Sequence, residues 1–277
     1  MIAKTKLTGF LIVFSLMVVA AGAQINVERE VLYELSPSFS YGLIGMRTSA
    51  EQVLMMNHYG QMIRYDLNTG EAFNGKIRGQ RILDFDLIMG QPIYINQQGR
   101  LGGLIKPQWP DKSFAACKIE ACEQGLLLTG GGKMLFLAQN ATDTFVTEGL
   151  NFALPVGRGY LWSIGLKRKT GPWSISLFDC YGNLLKEIYE FSRSFDPSGI
   201  TLGPVGPEGE ALLSSYENNR RKLTLVGQNG HMMWKIDGPE KFCARDIAFD
   251  TRGNLLVLEK NGKKVVLARW RFEAPQG

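Results

Sequence analysis

The sequence predicts an all-β fold built from repeated hairpins, and three observations carry that expectation. Helical periodicity is weak almost everywhere after residue 23, one hairpin pattern recurs seven times, and the hairpins group into units of about 40 residues. The pattern is an apolar run, three turn-like residues, a Gly, one polar residue and a second apolar run. It is found around Gly60, Gly99, Gly132, Gly182, Gly230, Gly253 and Gly262. Gly, and Asn in Asn229-Gly230 and Asn261-Gly262, relieves the steric cost of the positive φ that tight hairpins demand.

In chain order, the first element is an export signal over residues 1–23. Lys4 and Lys6 precede the apolar run from Gly9 to Ala20, and Ala21-Gly22-Ala23 supplies the small residues of a cleavage site, leaving Gln24 as the new N-terminus. The run is shorter than the roughly 20 residues of a spanning helix, so cleavage is expected rather than anchoring. Residues 24–277 then form a single domain of about 254 residues, secreted or periplasmic, with no transmembrane segment. Its composition, 45% hydrophobic and 21% charged in the full chain, excludes a multi-span membrane protein and a mainly disordered one.

Next comes an orphan strand, Val27 to Leu35, followed by six units at 41–77, 82–107, 114–150, 152–191, 199–237 and 244–272. The clearest, 199–237, divides into GITLGPV, EALLSSYE, KLTLVGQ and HMMWKID, four strands in all. Units of about 42 residues with four strands have the size of propeller blades. The last unit has three strands, and Val27 to Leu35 is the natural fourth, closing a ring of six blades and removing open sheet edges. A β-sandwich or another solenoid is the alternative arrangement of the same hairpins.

One segment resembles a known family. Residues 244–270, ARDIAFDTRGNLLVLEKNGKKVVLARW, are similar to an NHL repeat: an inner strand ending in Asp, then x-x-Gly-Asn, an apolar strand ending in an acidic residue, a turn and an outer apolar strand. YENNRRKLTLVGQNG resembles the second half of that repeat, and YDLNTGE looks like a strand-turn of quinoprotein-type or WD-like propellers. The resemblance implies an NHL-like six-bladed β-propeller and no particular activity, because propellers host many functions.

The chemistry-bearing residues are few. Both histidines, His58 and His231, lie beside turn glycines in different units and read as exposed polar turn residues, so neither a Ser-His-Asp set nor a histidine metal site is expected and no catalytic residue is assigned. In a propeller the first strand of each blade lines the central channel. That places Asp84, Asp86, Arg245 and Asp246 as candidate binding residues at the channel mouth, with Arg47 and Glu120 as additions. Asp84 and Asp86 share one strand face, opposite Leu83 and Phe85. They could hold calcium or pair with Arg245. Asp179 and Asp250 precede turns and read as hairpin caps.

Basic runs at Lys167 to Lys169, Arg220 to Lys222 and Lys263-Lys264 adjoin turn residues and read as solvated hairpin ends, not a nucleic-acid patch. Cys117, Cys122, Cys180 and Cys243 show no zinc or haem spacing. Alternation in FAACKIEAC puts Cys117 on an apolar face, so it is expected to be buried, and too far along its strand to bond Cys122.

Two functions compete. The first is an exported non-catalytic scaffold that binds a protein or carbohydrate partner through its loops, without nucleic acid and without a cofactor. The second is a calcium-dependent hydrolase or lyase of the kind found among six-bladed propellers, with Asp84, Asp86 and Asp246 converging. For that reading the inner strands lack a matching Asn, which such sites typically use.

Overall fold

The computed structural model describes residues 25–103, 115–122, 125–130, 133–138, 142–143, 150–156, 160–166, 173–179, 183–190 and 200–273. The expected signal, Gly132, Gly182 and the run Lys167 to Lys169 lie outside them.

The chain enters through β1 (Asn26–Leu35) and a single turn of helix, α1 (Pro37–Ser40). Ser36 caps that turn by accepting the Phe39 N–H, and Pro37 starts it at a position where no N–H is needed. Among the described residues, antiparallel sheets of four strands, one of them of three, follow in sequence order. The first is β2 (Leu43–Ser49), β3 (Gln52–Asn57), β4 (Gln61–Asp66) and β5 (Ala72–Lys76). The second has three strands, β6 (Ile82–Ile88), β7 (Gln91–Asn96) and β8 (Leu101–Gly103). The third is β9 (Lys118–Cys122), β10 (Gly125–Gly130), β11 (Lys133–Ala138) and β12 (Thr142–Asp143).

The fourth sheet is β13 (Leu150–Val156), β14 (Tyr160–Leu166), β15 (Trp173–Asp179) and β16 (Leu184–Glu190). The fifth is β17 (Thr201–Val205), β18 (Ala211–Glu217), β19 (Arg220–Val226) and β20 (Met232–Asp237). In the last, β21 (Ile247–Phe249), β22 (Leu255–Asn261) and β23 (Lys264–Glu273) are joined by β1 as the outer strand. Along β1, Asn26 faces Glu273 and Leu35 faces Val265, so the two ends of the chain share one sheet.

The first strands touch in sequence, β2 to β6, β9, β13, β17 and β21, and β21 returns to β2. This is the β-propeller arrangement, with first strands innermost. Among the described residues five sheets have the four strands of a complete blade, so the expected six complete blades are not reached. The shortfall is at 82–103, where β8 ends after three residues, Leu101-Gly102-Gly103. Paired glycines weaken a strand, and Gly103 has left extended geometry with φ +129°.

The core lies between sheets rather than inside any one of them. Along β3, Val53 and Met55 pack toward β22 and β23 while Leu54 and Met56 pack toward β6 and β7. A strand buried on both faces must be apolar at consecutive positions, which is why VLMM reads as an unbroken run. The hairpins repeat one turn chemistry. In Asn57 to Gly60, Asn96 to Gly99 and Asp250 to Gly253, the first side chain accepts two backbone N–H groups ahead of it, and the glycine N–H returns to the first carbonyl. Asp179 and Asp250 are therefore caps, each also accepting the side-chain amide of the following Asn, Asn183 or Asn254.

Cys117 is exposed, not buried. β9 begins only at Lys118, so the alternation that would have buried Cys117 does not extend back to it. Its N–H and thiol both bond the Thr129 carbonyl, and Ala116 is buried instead. Cys117 and Cys243 are free thiols.

Candidate functional site

The middle of β6 presents Asp84 and Asp86 to the same side, as a period of two requires, with Phe85 buried on the other. Both carboxylates meet β9, the first strand of the next sheet. Asp84 Oδ2 accepts the Ile119 N–H at 2.9 Å, and Asp86 Oδ2 accepts the Ala121 N–H at 2.7 Å. Glu120 lies between those two amides in sequence and turns its carboxylate inward to the same cluster.

Two arginines from the other side answer these acids. Arg245, just ahead of β21, grips Asp84 with two N–H groups, Nε to Oδ1 at 2.7 Å and Nη2 to Oδ2 at 2.5 Å. Its Nη1 reaches Glu120 Oε1 at 2.5 Å and its Nη2 also reaches the Ile119 carbonyl at 3.0 Å. Arg47 on β2 lies 3.2 Å from Glu120 Oε2 and 3.1 Å from Asp86 Oδ1, with its guanidinium over the Phe85 ring. One cluster thus ties β2, β6, β9 and the approach to β21 across the channel. Bidentate and shared guanidinium contacts of this kind are the strong, directional ones.

Gly45 makes the Arg245 placement possible. Its φ is +151°, and a Cβ there would lie 2.4 Å from the Arg245 carbonyl oxygen. Without a side chain, β2 approaches closely enough for Met46 N–H to bond that carbonyl at 3.0 Å.

The electrostatics are unbalanced: three carboxylates face two guanidiniums, all largely out of water. Burial pushes Asp84 up to about 6 and Glu120 up to about 8, against the pull of Arg47 on each. Burial likewise raises Asp86, and the three acids together keep Arg47 above its ordinary value despite its own burial. With one proton on the carboxylates the cluster is neutral, which burial favours.

Asp246 is elsewhere. It faces away from Arg245 and forms a buried bidentate pair with Arg221 of β19, at 2.6 and 3.0 Å, while also accepting the Phe242 N–H. Arg221 Nε donates to Ser214 Oγ at 2.8 Å, completing its partners. Asp84, Asp86 and Arg245 are brought together, whereas neighbours in an extended chain point opposite ways and Asp246 does not join them. Arg221 corrects the reading of Arg220 to Lys222 as a solvated end, for its side chain is buried. The signal was in RRKLTLV, where alternation puts Arg221 on the face of Leu223 and Leu225. His58 is half-buried with Nδ1 at 2.6 Å from the Ile82 carbonyl, and His231 is exposed in its turn.

The donor set does not fit a calcium ion. Calcium takes six to eight oxygens, but the oxygens of Asp84, Asp86 and Glu120 already face N–H groups and two cations, and Asp246 belongs to a different pair. Among the described residues no group of three or more His, Cys, Asp or Glu is arranged to hold a metal.

The fold defines a β-propeller, and comparison with solved structures agrees. The chain is similar to the WD40 β-propeller domain of Doa1, with a TM-score of 0.53 and 8% identity over 88% of this chain and 97% of that one. It is also similar to the Cps50 (Swd1) β-propeller domain of Myceliophteria thermophila, at 12% identity, TM-score 0.49 and coverage of 84% and 83%. BamB from Moraxella catarrhalis matches at 14% identity, TM-score 0.44 and coverage of 83% of each chain. At these identities the likeness is one of fold. No family pattern and no curated protein sequence matches the chain.

Proposed function

We propose that the chain is an exported, non-catalytic β-propeller scaffold that binds a protein or carbohydrate partner through its loops. The observation that carries this reading is the state of the channel residues. Asp84, Asp86, Glu120, Arg47 and Arg245 are bonded to one another and to the backbone, so they serve to hold inner strands in place. A general acid or nucleophile needs a free reach to substrate, and a closed set of ion pairs does not offer one. Rigid strands that end in short, polar, capped turns are suited to displaying a binding surface.

In this reading the three-stranded sheet serves as a sixth blade of an NHL-like ring, and the β1 to β23 pairing is the ring's closure. The Asp250 to Asn254 turn, with Asp179 to Asn183 as its counterpart, is the support for the NHL-like assignment. Export rests on the basic, apolar and small-residue order of residues 1–23.

The test has two arms. Intact mass of the protein purified from its native host should begin at Gln24, and retention of Met1 would remove the export part. Mature protein incubated with acidic and neutral polysaccharides in calcium should release no new reducing ends or unsaturated products. Product formation abolished by Asp84→Ala would overturn the scaffold reading.

A further inference from the structure

Among the described residues, a surface cluster lies on the face of the ring opposite the Asp250 turn, where the turn between β3 and β4 meets the connection from β5 to β6. Three segments distant in sequence converge there. Tyr41 follows α1, Tyr59 sits in the β3–β4 turn, and Arg81 ends the β5–β6 connection. The two tyrosine rings are nearly parallel, at 13° with centroids 6.2 Å apart, and the Arg81 guanidinium lies 5.9 Å from the Tyr59 centroid. The result is a short stack: tyrosine, tyrosine, guanidinium. Tyr41 is 72% exposed and Tyr59 44% exposed, although both are large enough to gain from burial.

The stack is held in place rather than hanging free. The Tyr59 N–H bonds Asn57 Oδ1 at 3.0 Å, and His58 N–H bonds the Gly42 carbonyl at 2.9 Å, which sets the Tyr41 segment beside the turn. Beyond Arg81, the Gln97 N–H bonds the Arg81 carbonyl at 2.9 Å. Ordering these backbones before a partner arrives lowers the cost of binding.

The exposed charge beside the stack on the β5–β6 connection is positive, and Glu34, which lines a cleft with Lys76, is paired with Lys264. Lys76, Arg78 and Arg81 are exposed within six residues of chain, and none of the described carboxylates pairs with them. The nearest acids along the chain, Asp84 and Asp86, are consumed by Arg245, Arg47 and the β9 amides. Asp66 and Glu71 lie at the far end of the same blade, in the β4–β5 turn.

Resting on the scaffold reading, we propose that Tyr41, Tyr59 and Arg81, with Arg78 and Lys76 beside them, form the docking face for an acidic polypeptide segment carrying aromatic side chains. Tyrosine and arginine are the residue types that dominate the centres of protein interfaces, and a partner's aromatic ring would extend the stack on the open face of Tyr41 while its carboxylates meet the cations. Three cations are too few for a polyanion tracked along its backbone, where nucleic acid binders commonly contact six or more phosphates.

The test uses mature full-length protein and a fluorescein-labelled peptide of alternating Glu and Phe, followed by anisotropy at low and high salt. A Lys and Phe peptide, a single-stranded oligonucleotide and polygalacturonate are the comparison probes. The Glu and Phe peptide should bind, weaken with salt, and lose about ten-fold in affinity in Tyr41→Ser and more in Arg81→Glu, while Glu71→Gln leaves it unchanged. Both substituted side chains are exposed, and matching melting curves confirm the fold. Absence of peptide binding, equal binding by the Lys and Phe peptide, tighter binding of the oligonucleotide or polygalacturonate, or indifference to Arg81→Glu would overturn the proposal. If a partner recovered from the native host still binds Tyr41→Ser/Arg81→Glu, this face is wrong and the scaffold reading stands.

Discussion

The channel cluster should make stability fall as pH rises, against the usual behaviour of paired carboxylates. Glu120 is held at about 8 in the folded chain, above the ordinary glutamate value of 4.5, because burial outweighs Arg47. A carboxyl whose folded value is raised binds its proton more tightly when folded, so its contribution is full below the unfolded value and is lost as pH climbs through the folded one. The window therefore runs from about 4.5 to 8, and Asp84, raised to about 6 from 3.8, contributes to its lower part. For Glu120 alone the shift corresponds to at most about 5 kcal/mol. Because the three acids lie in one cluster and share two guanidiniums, they share that change rather than multiplying it. For a domain of this size 1 kcal/mol moves the melting temperature by about 2–4 °C, so a fall on the order of 10 °C is expected between pH 5 and pH 9. Melting followed by circular dichroism across that range measures it. Glu120→Gln, which imitates the protonated acid, should flatten the curve between pH 6.5 and 8.5 and melt higher than the parent at pH 8.5. A parent curve that is flat, or a variant with the parent's slope, would refute the assignment of the proton to this cluster.

Four further outcomes follow from named contacts. Arg221→Met leaves Asp246 buried without its partner and should cost about 3–5 kcal/mol, read as a melting temperature lower by roughly 10 °C; a change under 2 °C would sink it. Gly45→Ala places a Cβ 2.4 Å from the Arg245 carbonyl oxygen and should destabilise by at least about 2 kcal/mol in urea unfolding, whereas an unchanged midpoint would mean that β2 can move away. Removing residues 24–35 deletes β1 and with it Leu35, which is 1% exposed, so a loss of at least about 2–5 kcal/mol and soluble oligomers at the bared β23 edge are expected in melting and gel filtration. Iodoacetamide at pH 8 should modify exposed Cys117 well before Cys243, whose thiol burial and Asp246 push up; peptide mapping showing the reverse order would contradict both placements.

The sequence by itself determined the class of fold and much of its local grammar. Seven Gly-centred hairpins and consecutive apolar strands such as VLMM are local statements, and local sterics and burial on both faces suffice to fix them. At Gly60, Gly99, Gly230, Gly253 and Gly262 the chain does take the positive φ that its turns demand. The caps at Asp179 and Asp250 belong to the same category, because a side chain bonding its own turn needs no distant partner.

What the tertiary structure decided are the pairings that cross sheets. Asp84 and Asp86 were legible as a shared face, but only the ring brings Arg245, 161 residues away, to close on Asp84. Adjacent Arg245 and Asp246 looked like one site in the sequence. The extended backbone sends them to opposite sides, one into the channel and the other to Arg221. The exposed Cys117 and the short β8 follow from where a strand starts and stops, and local pattern fixes those ends poorly because pairing with a neighbour sets them. The Tyr41, Tyr59 and Arg81 stack gave no signal in the sequence at all, since its members come from three loops that meet only once the ring is built.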